Sequence, residues 1–160
     1  MRKIFLVFIF LTTLYQCQER KNSCPDKDNY FIRNSLKYNS EFSMYEYVNK
    51  KSEDRFILIN KNSNNCFINK NSLLSTNEIE NYATNFIKRT KNGFYYSFEY
   101  GNRYHYEYEV YFEYVNGDFY LNQIVQKFSD LANPNSIRTK RIPVSKIKFI
   151  LFDIHEYLSK

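Results

Sequence analysis

The sequence predicts an α+β domain: an antiparallel β-meander (about 94–128) packed on one amphipathic helix (about 76–92), with additional short strands. Three observations predict it. Apolar and polar residues alternate with period two from Phe94 to Phe128, and Asn116-Gly117 separates two of the alternating runs, the strongest short hairpin signal. Ser75-Thr76-Asn77-Glu78 matches a capping box, and Ile79, Ala83, Phe86 and Ile87 follow it at helical spacing. Hydrophobic residues make up 43% of the 160-residue chain, enough for one buried core, so a single domain at 29–160 is expected.

The chain opens with Arg2 and Lys3, then an apolar run from Ile4 to Tyr15 broken by Thr12 and Thr13. At about 1.5 Å per residue this run is short of the roughly 30 Å bilayer core, and it has the length of a signal-peptide core. Residues 1–16 are therefore read as an export signal. It ends in Leu14-Tyr15-Gln16-Cys17 with polar Gln18-Glu19-Arg20-Lys21 beyond.

Here the chain resembles bacterial cell-envelope lipoproteins, whose signal closes in a Leu-x-x-Cys lipobox. Leu14 and Cys17 match that pattern, while Tyr15 and Gln16 are larger than the residues the family favours. The resemblance implies lipidation at Cys17, a membrane anchor through that lipid, and a place in the cell envelope facing the periplasm or the exterior. Ordinary secretion is the alternative. Residues 17–28, polar and with Pro25, read as the tether.

Assigning Cys17 to lipid leaves Cys24 and Cys66 as a disulfide candidate in an oxidising compartment, or as two free buried thiols. No CxxC and no Cys/His spacing suggests a metal through cysteine. The chain carries 23 basic and 17 acidic residues. Losing Arg2 and Lys3 with the signal leaves +4, which does not imply a nucleic-acid partner. Three glycines in all exclude a Gly-rich dinucleotide or phosphate loop, and no cofactor is implied.

Along the body, Tyr30-Phe31-Ile32, Met44 to Val48, Arg55 to Asn60 and Cys66 to Ile68 read as short strands, with an Asn- and Lys-rich turn at 60–65. In the predicted helix, Lys88, Arg89 and Lys91 occupy the last turn and Gly93 the C-cap. A two-residue turn at Asn116-Gly117 sets Tyr114 opposite Phe119, Phe112 opposite Leu121 and Tyr108 opposite Val125. A two-residue loop at Gly101-Asn102 would mix the faces. A three-residue loop including Arg103, or a bulge, pairs Phe98 with Tyr106, Tyr96 with Tyr108 and Phe94 with Val110. Phe149 to Phe152 reads as a final strand, and Asp153 as the cap of a short terminal helix.

The other side of the meander gathers Glu99, His105, Glu107, Glu109, Tyr111 and Glu113, with Tyr120 and Asn122 approaching from the third strand, because alternate residues share a face. The predicted register sets Glu99 opposite His105, Ser97 opposite Glu107 and Tyr95 opposite Glu109. Glutamates among tyrosines suit a basic protein or a glycan. The plain alternative is a solvated sheet face, partly covered by the basic segment 138–148. His105 with Glu99 and Glu107 converges poorly for a metal on a flat sheet, so no metal site is assigned. Glu107 and Glu109 are the one catalytic alternative, as a carboxylate pair for glycoside hydrolysis.

The expected function is a non-enzymatic envelope protein that binds a protein or glycan partner. Some small envelope lipoproteins act as inhibitors or immunity proteins, and that analogy rests on size and address alone. The alternatives are a hydrolase of envelope polysaccharide and a structural or assembly lipoprotein.

Overall fold

The computed structural model describes residues 24–25, 28–61 and 65–158. The export signal, Cys17 and the tether up to Ser23 lie outside the described residues. Nine strands run in chain order: β1 Tyr30–Lys37, β2 Phe42–Asn49, β3 Arg55–Lys61, β4 Asn65–Asn69, β5 Ala83–Arg89, β6 Gly93–Gly101, β7 Tyr104–Val115, β8 Asp118–Asp130 and β9 Asn133–Ile142. They form two antiparallel meanders, β1-β2-β3-β4 and β5-β6-β7-β8-β9, each joined only between sequence neighbours. Two 3-10 turns, Phe149–Leu151 and Ile154–Glu156, close the chain.

The architecture corrects the α+β expectation: there is no amphipathic helix at 76–92. The capping signal is real but makes only a turn, with Ser75 N–H donating to Glu78 Oε2 at 2.7 Å and Glu78 N–H to the Ser75 carbonyl at 3.1 Å. Asn81 then takes φ of 56°, a left-handed conformation that Asn tolerates but a helix interior does not. The chain leaves the turn as β5. A bulge between Thr84 and Phe86 explains the misleading spacing. Tyr82 and Thr84 are buried, and the extra residue moves the next buried position to Ile87. A strand of period two thereby imitates three- and four-residue helical steps. Gly93 is the first residue of β6 and not a helix cap; a Cβ there would meet the Phe112 carbonyl oxygen at 2.0 Å.

Other elements move less. Of the basic segment 138–148, expected to cover part of the polar face, residues 138–142 pair with β8 in the edge strand β9, so they extend the sheet and do not cover it. The apolar run Phe149 to Phe152 is a 3-10 turn that tucks Phe149 and Phe152 into the core. Asp153 does cap the last turn, accepting from His155 N–H at 3.0 Å.

The Asn116-Gly117 hairpin has both residues at positive φ (50° and 92°), as a two-residue hairpin turn requires. It sets Tyr114 opposite Phe119 and Phe112 opposite Leu121 as expected. A bulge at Asn122 then shifts the register, and Tyr108 faces Gln126 rather than Val125. The β6–β7 pairing slides by two residues from the expected one: Phe94 faces Phe112, Tyr96 faces Val110 and Phe98 faces Tyr108. A slip of two keeps every side chain on its face, whereas a slip of one would invert them.

The core lies between the sheets. Phe94, Tyr96, Phe98, Tyr108, Val110, Phe112, Phe119, Leu121 and Ile124 come from the larger sheet, and Phe42, Met44, Ile57 and Ile59 from the smaller. Phe94 stacks on Phe112 at 5.2 Å and Phe98 on Tyr108 at 5.1 Å between ring centroids. Polar ties join the layers. Asn69 Nδ2 donates to the Phe149 and Phe152 carbonyls at 2.5 and 2.7 Å, and the Tyr96 hydroxyl donates to the Ser72 carbonyl at 2.5 Å. Buried Glu46 accepts from Asn34 Nδ2 and Thr84 Oγ1, both at 2.5 Å, while the Arg55 guanidinium lies 5.2 Å from the Tyr82 ring centroid.

Cys24 and Cys66 are joined by a disulfide across 42 residues. It fixes the start of the described chain to β4, beside a second small cluster of Tyr47, Phe56 and Leu58 on the outer face of the smaller sheet. Closing a loop of that length restricts the unfolded chain. Replacing both cysteines with serine is expected to lower the unfolding free energy by about 4 kcal/mol. Urea midpoints of the oxidised, reduced and Cys24→Ser/Cys66→Ser proteins check this, the last two being expected to coincide.

Candidate functional site

The outer face of the larger sheet is built by the same alternation that builds the core. With Phe94, Tyr96 and Phe98 turned inward, Tyr95, Ser97 and Glu99 of β6 turn outward, and Tyr108, Val110 and Phe112 inward leave His105, Glu107, Glu109, Tyr111 and Glu113 of β7 outside. Tyr120 faces Glu113 across β7–β8 and joins them. The structure thus brings Glu99, His105, Glu107, Glu109, Tyr111, Glu113 and Tyr120 to one face, in a register shifted from the expected one. Glu99 faces Glu107, Ser97 faces Glu109, and Tyr95 faces Tyr111.

The glutamates are not equivalent. Lys127, which faces Glu107 across β7–β8, places its ammonium 2.8 Å from Glu109 Oε1 and 3.4 Å from Glu107 Oε2. The Tyr111 hydroxyl donates to Glu109 Oε2 at 2.7 Å, and Ser97 Oγ donates to Glu107 Oε1 at 3.4 Å. Burial pulls the Glu109 carboxyl upward, but the hydrogen bonds from Lys127 and Tyr111 outweigh it and hold the group below its usual range. Its hydrogen bond to Glu109 raises Lys127 in turn. Burial, then the Glu109 carboxylate, raise the Tyr111 phenol, so it stays protonated as the donor. At one end of the face, His105 Nε2 lies 3.5 Å from Glu99 Oε2, which also accepts from Asn85 Nδ2 at 3.3 Å.

Aromatic rings occupy the next rows. Tyr95 and Tyr111 stack with centroids 4.7 Å apart and planes within 9°. Phe86 of β5 meets Tyr95 edge-on at 5.5 Å, and Lys88 Nζ lies 4.0 Å from the Phe86 centroid. Past Tyr111 the face dips into a shallow concavity of about 290 Å³, lined by Thr90, Lys91, Asn92, Tyr111, Phe112, Glu113 and Asn122. Lys146 Nζ stands 5.1 Å from the Tyr120 ring centroid.

Lys127, Phe86, Asn85 and Thr90–Asn92 are absent from the sequence-based set. Lys127 was hidden by the bulge at Asn122, because the unbroken register places it opposite Tyr106 on the core side, and only the shifted one pairs it with Glu107. The β5 residues were hidden by the helix reading, and the turn residues carry no periodicity. A second polar cluster was also missed. His155 Nδ1 lies 2.7 Å from Asp153 Oδ1 and its Nε2 3.3 Å from Glu78 Oε1, at the rim of a cavity of about 200 Å³ lined also by Asp54, Lys70 and Asn71.

A glycosidase pairs one carboxyl kept protonated by a dry environment with one ionised carboxylate; at Glu109 the hydrogen bonds from Lys127 and Tyr111 favour the ionised form. Among the described residues no group of three or more His, Cys, Asp or Glu could hold a metal ion. No family model, curated protein or solved structure matches the chain.

The Glu109 interactions carry a pH signature. A carboxyl depressed in the folded state adds stability above its unfolded value, near 4.5, and that contribution is lost as pH falls through the folded value. The urea midpoint is therefore expected to drop from pH 5.5 to pH 3.5 by less in Glu109→Gln than in the parent protein.

Proposed function

We propose that this is an exported, lipid-anchored envelope protein that works without catalysis, binding a protein or glycan partner through the outer face of the five-stranded sheet. The observation that carries this reading is the concentration of Phe86, Tyr95 and Tyr111 rings beside Glu107, Glu109 and Lys127 on one side of one sheet. On the opposite side, the central strands β6, β7 and β8 carry aromatic and aliphatic residues apart from Gln126. Tyrosine offers contact area and a hydroxyl at low entropic cost, and the paired carboxylates supply fixed acceptors. Composition alone does not account for the arrangement: AT-rich codons enrich Tyr, Phe, Asn and Lys together, yet do not sort them between faces.

The lipid reading rests on the basic start, the core length and Cys17. An anchored protein would present the face to an envelope component, as inhibitors and immunity proteins of similar size do.

Charge reversal at Glu107 and Glu109 is expected to abolish capture of the partner from envelope extract while circular dichroism shows an intact fold. The ion pairs lost are worth roughly 0–1 kcal/mol each at such partly exposed positions. Undiminished capture removes the proposal. Cys17→Ser is expected to shift the protein from the membrane to the soluble fraction and to remove the acyl mass from its mature N-terminus, as read by mass spectrometry.

A further inference from the structure

Resting on the reading of this face as a binding surface, we infer that the concavity beside Tyr111 is a subsite for one pyranose ring of a glycan. The centre of the face already satisfies itself, since Lys127 bridges Glu107 and Glu109 and Tyr111 closes onto Glu109. The concavity differs. The side chains of Thr90, Lys91, Asn92, Glu113 and Asn122 line it, and none has a hydrogen-bond or ion-pair partner among the described residues. These residues bring a hydroxyl, an ammonium, two amides and a carboxylate to the rim of one hollow whose own lining is mainly carbon.

Tyr111, stacked on Tyr95, supplies its aromatic edge. One backbone feature shapes its rim: the bulge takes Asn122 out of the regular β7–β8 ladder. At about 290 Å³ the hollow sits at the lower edge of the roughly 300–1,000 Å³ typical of small-molecule sites.

These features match a sugar ring. Its C–H face packs on an aromatic surface, and its vicinal hydroxyls both donate and accept. Amides and a carboxylate can meet that pattern in a shallow open site. A basic peptide would find one carboxylate beside the Lys91 ammonium, a weaker match. The five-stranded sheet runs on toward Glu107 and Glu99, so further rings of a chain have a surface to follow.

Titration of the mature protein with cellohexaose, mannohexaose and chitohexaose, each to about 10 mM, followed by amide and side-chain NMR, tests this. At least one hexasaccharide is expected to shift Lys91, Asn92, Tyr111, Glu113 and Asn122 together. Tyr111→Ala should weaken that sugar at least tenfold and Asn122→Ala at least threefold. Asn122 is exposed, so its variant keeps the fold if Tyr111→Ala does not. No shift at these residues with any of the three sugars overturns the inference. So does unchanged affinity in Asn122→Ala, or a response confined to hexalysine. If partner capture still depends on Glu107 and Glu109 in that event, the face stands and only its sugar subsite falls.

Discussion

The interlocked aromatic row between the two sheets is the constraint on which the rest of the structure depends. Phe94 lies on Phe112, and the rings of Phe119, Phe149 and Phe152 meet that pair edge-on. Phe98 lies on Tyr108 one step along. Each such contact contributes about 0.5–1.5 kcal/mol beyond area burial. Their larger effect is on register, since shifting β6 or β7 by one residue would turn Phe94, Phe98 or Phe112 into water and bring glutamates into the core. The polar face is thus the complement of the core, and its side chains are arrayed by packing on the far side of the sheet.

Polar groups between the sheets act as fasteners more than as sources of stability. Asn69, Ser72 and Tyr96 connect the smaller sheet, the 70–75 turn, the larger sheet and the C-terminal turns through hydrogen bonds to backbone carbonyls. Such groups are costly when unpaired, so their pairing selects this docking of the layers over others of equal apolar area. Glu46 and Arg55 follow the same logic near β5. A buried pair of charges adds little net stability, but Thr84 and Asn34 complete the shell of Glu46 and bring β1, β2, β3 and β5 together.

The same balance organises the polar face. Four glutamates lie on a domain of positive net charge, and Lys127 bridges two of them, Glu107 and Glu109. That leaves a pre-paired centre beside stacked aromatic rings, with the hollow at its Glu113 end. Pre-paired side chains lower the ordering cost of the binding proposed for this face.

Period-two patterning was enough to read the β6–β8 meander, its two chemically distinct sides, the tight turn at Asn116-Gly117 and the residues of the polar face, because parity along a strand is a local property. β5 was not legible. Its bulge at Asn85 converts two-residue steps into helical ones, and the Ser75–Glu78 turn uses the same hydrogen bond as a helix start. What separates strand from helix there is pairing with the β6 edge across the 90–92 turn, itself held in place by β7. The two-residue slide of β6 against β7, the extension of the sheet by β9 and the burial of Phe149 and Phe152 belong to the same class. Each keeps every local preference satisfied in more than one way, so only the packing of one sheet on the other decides among them.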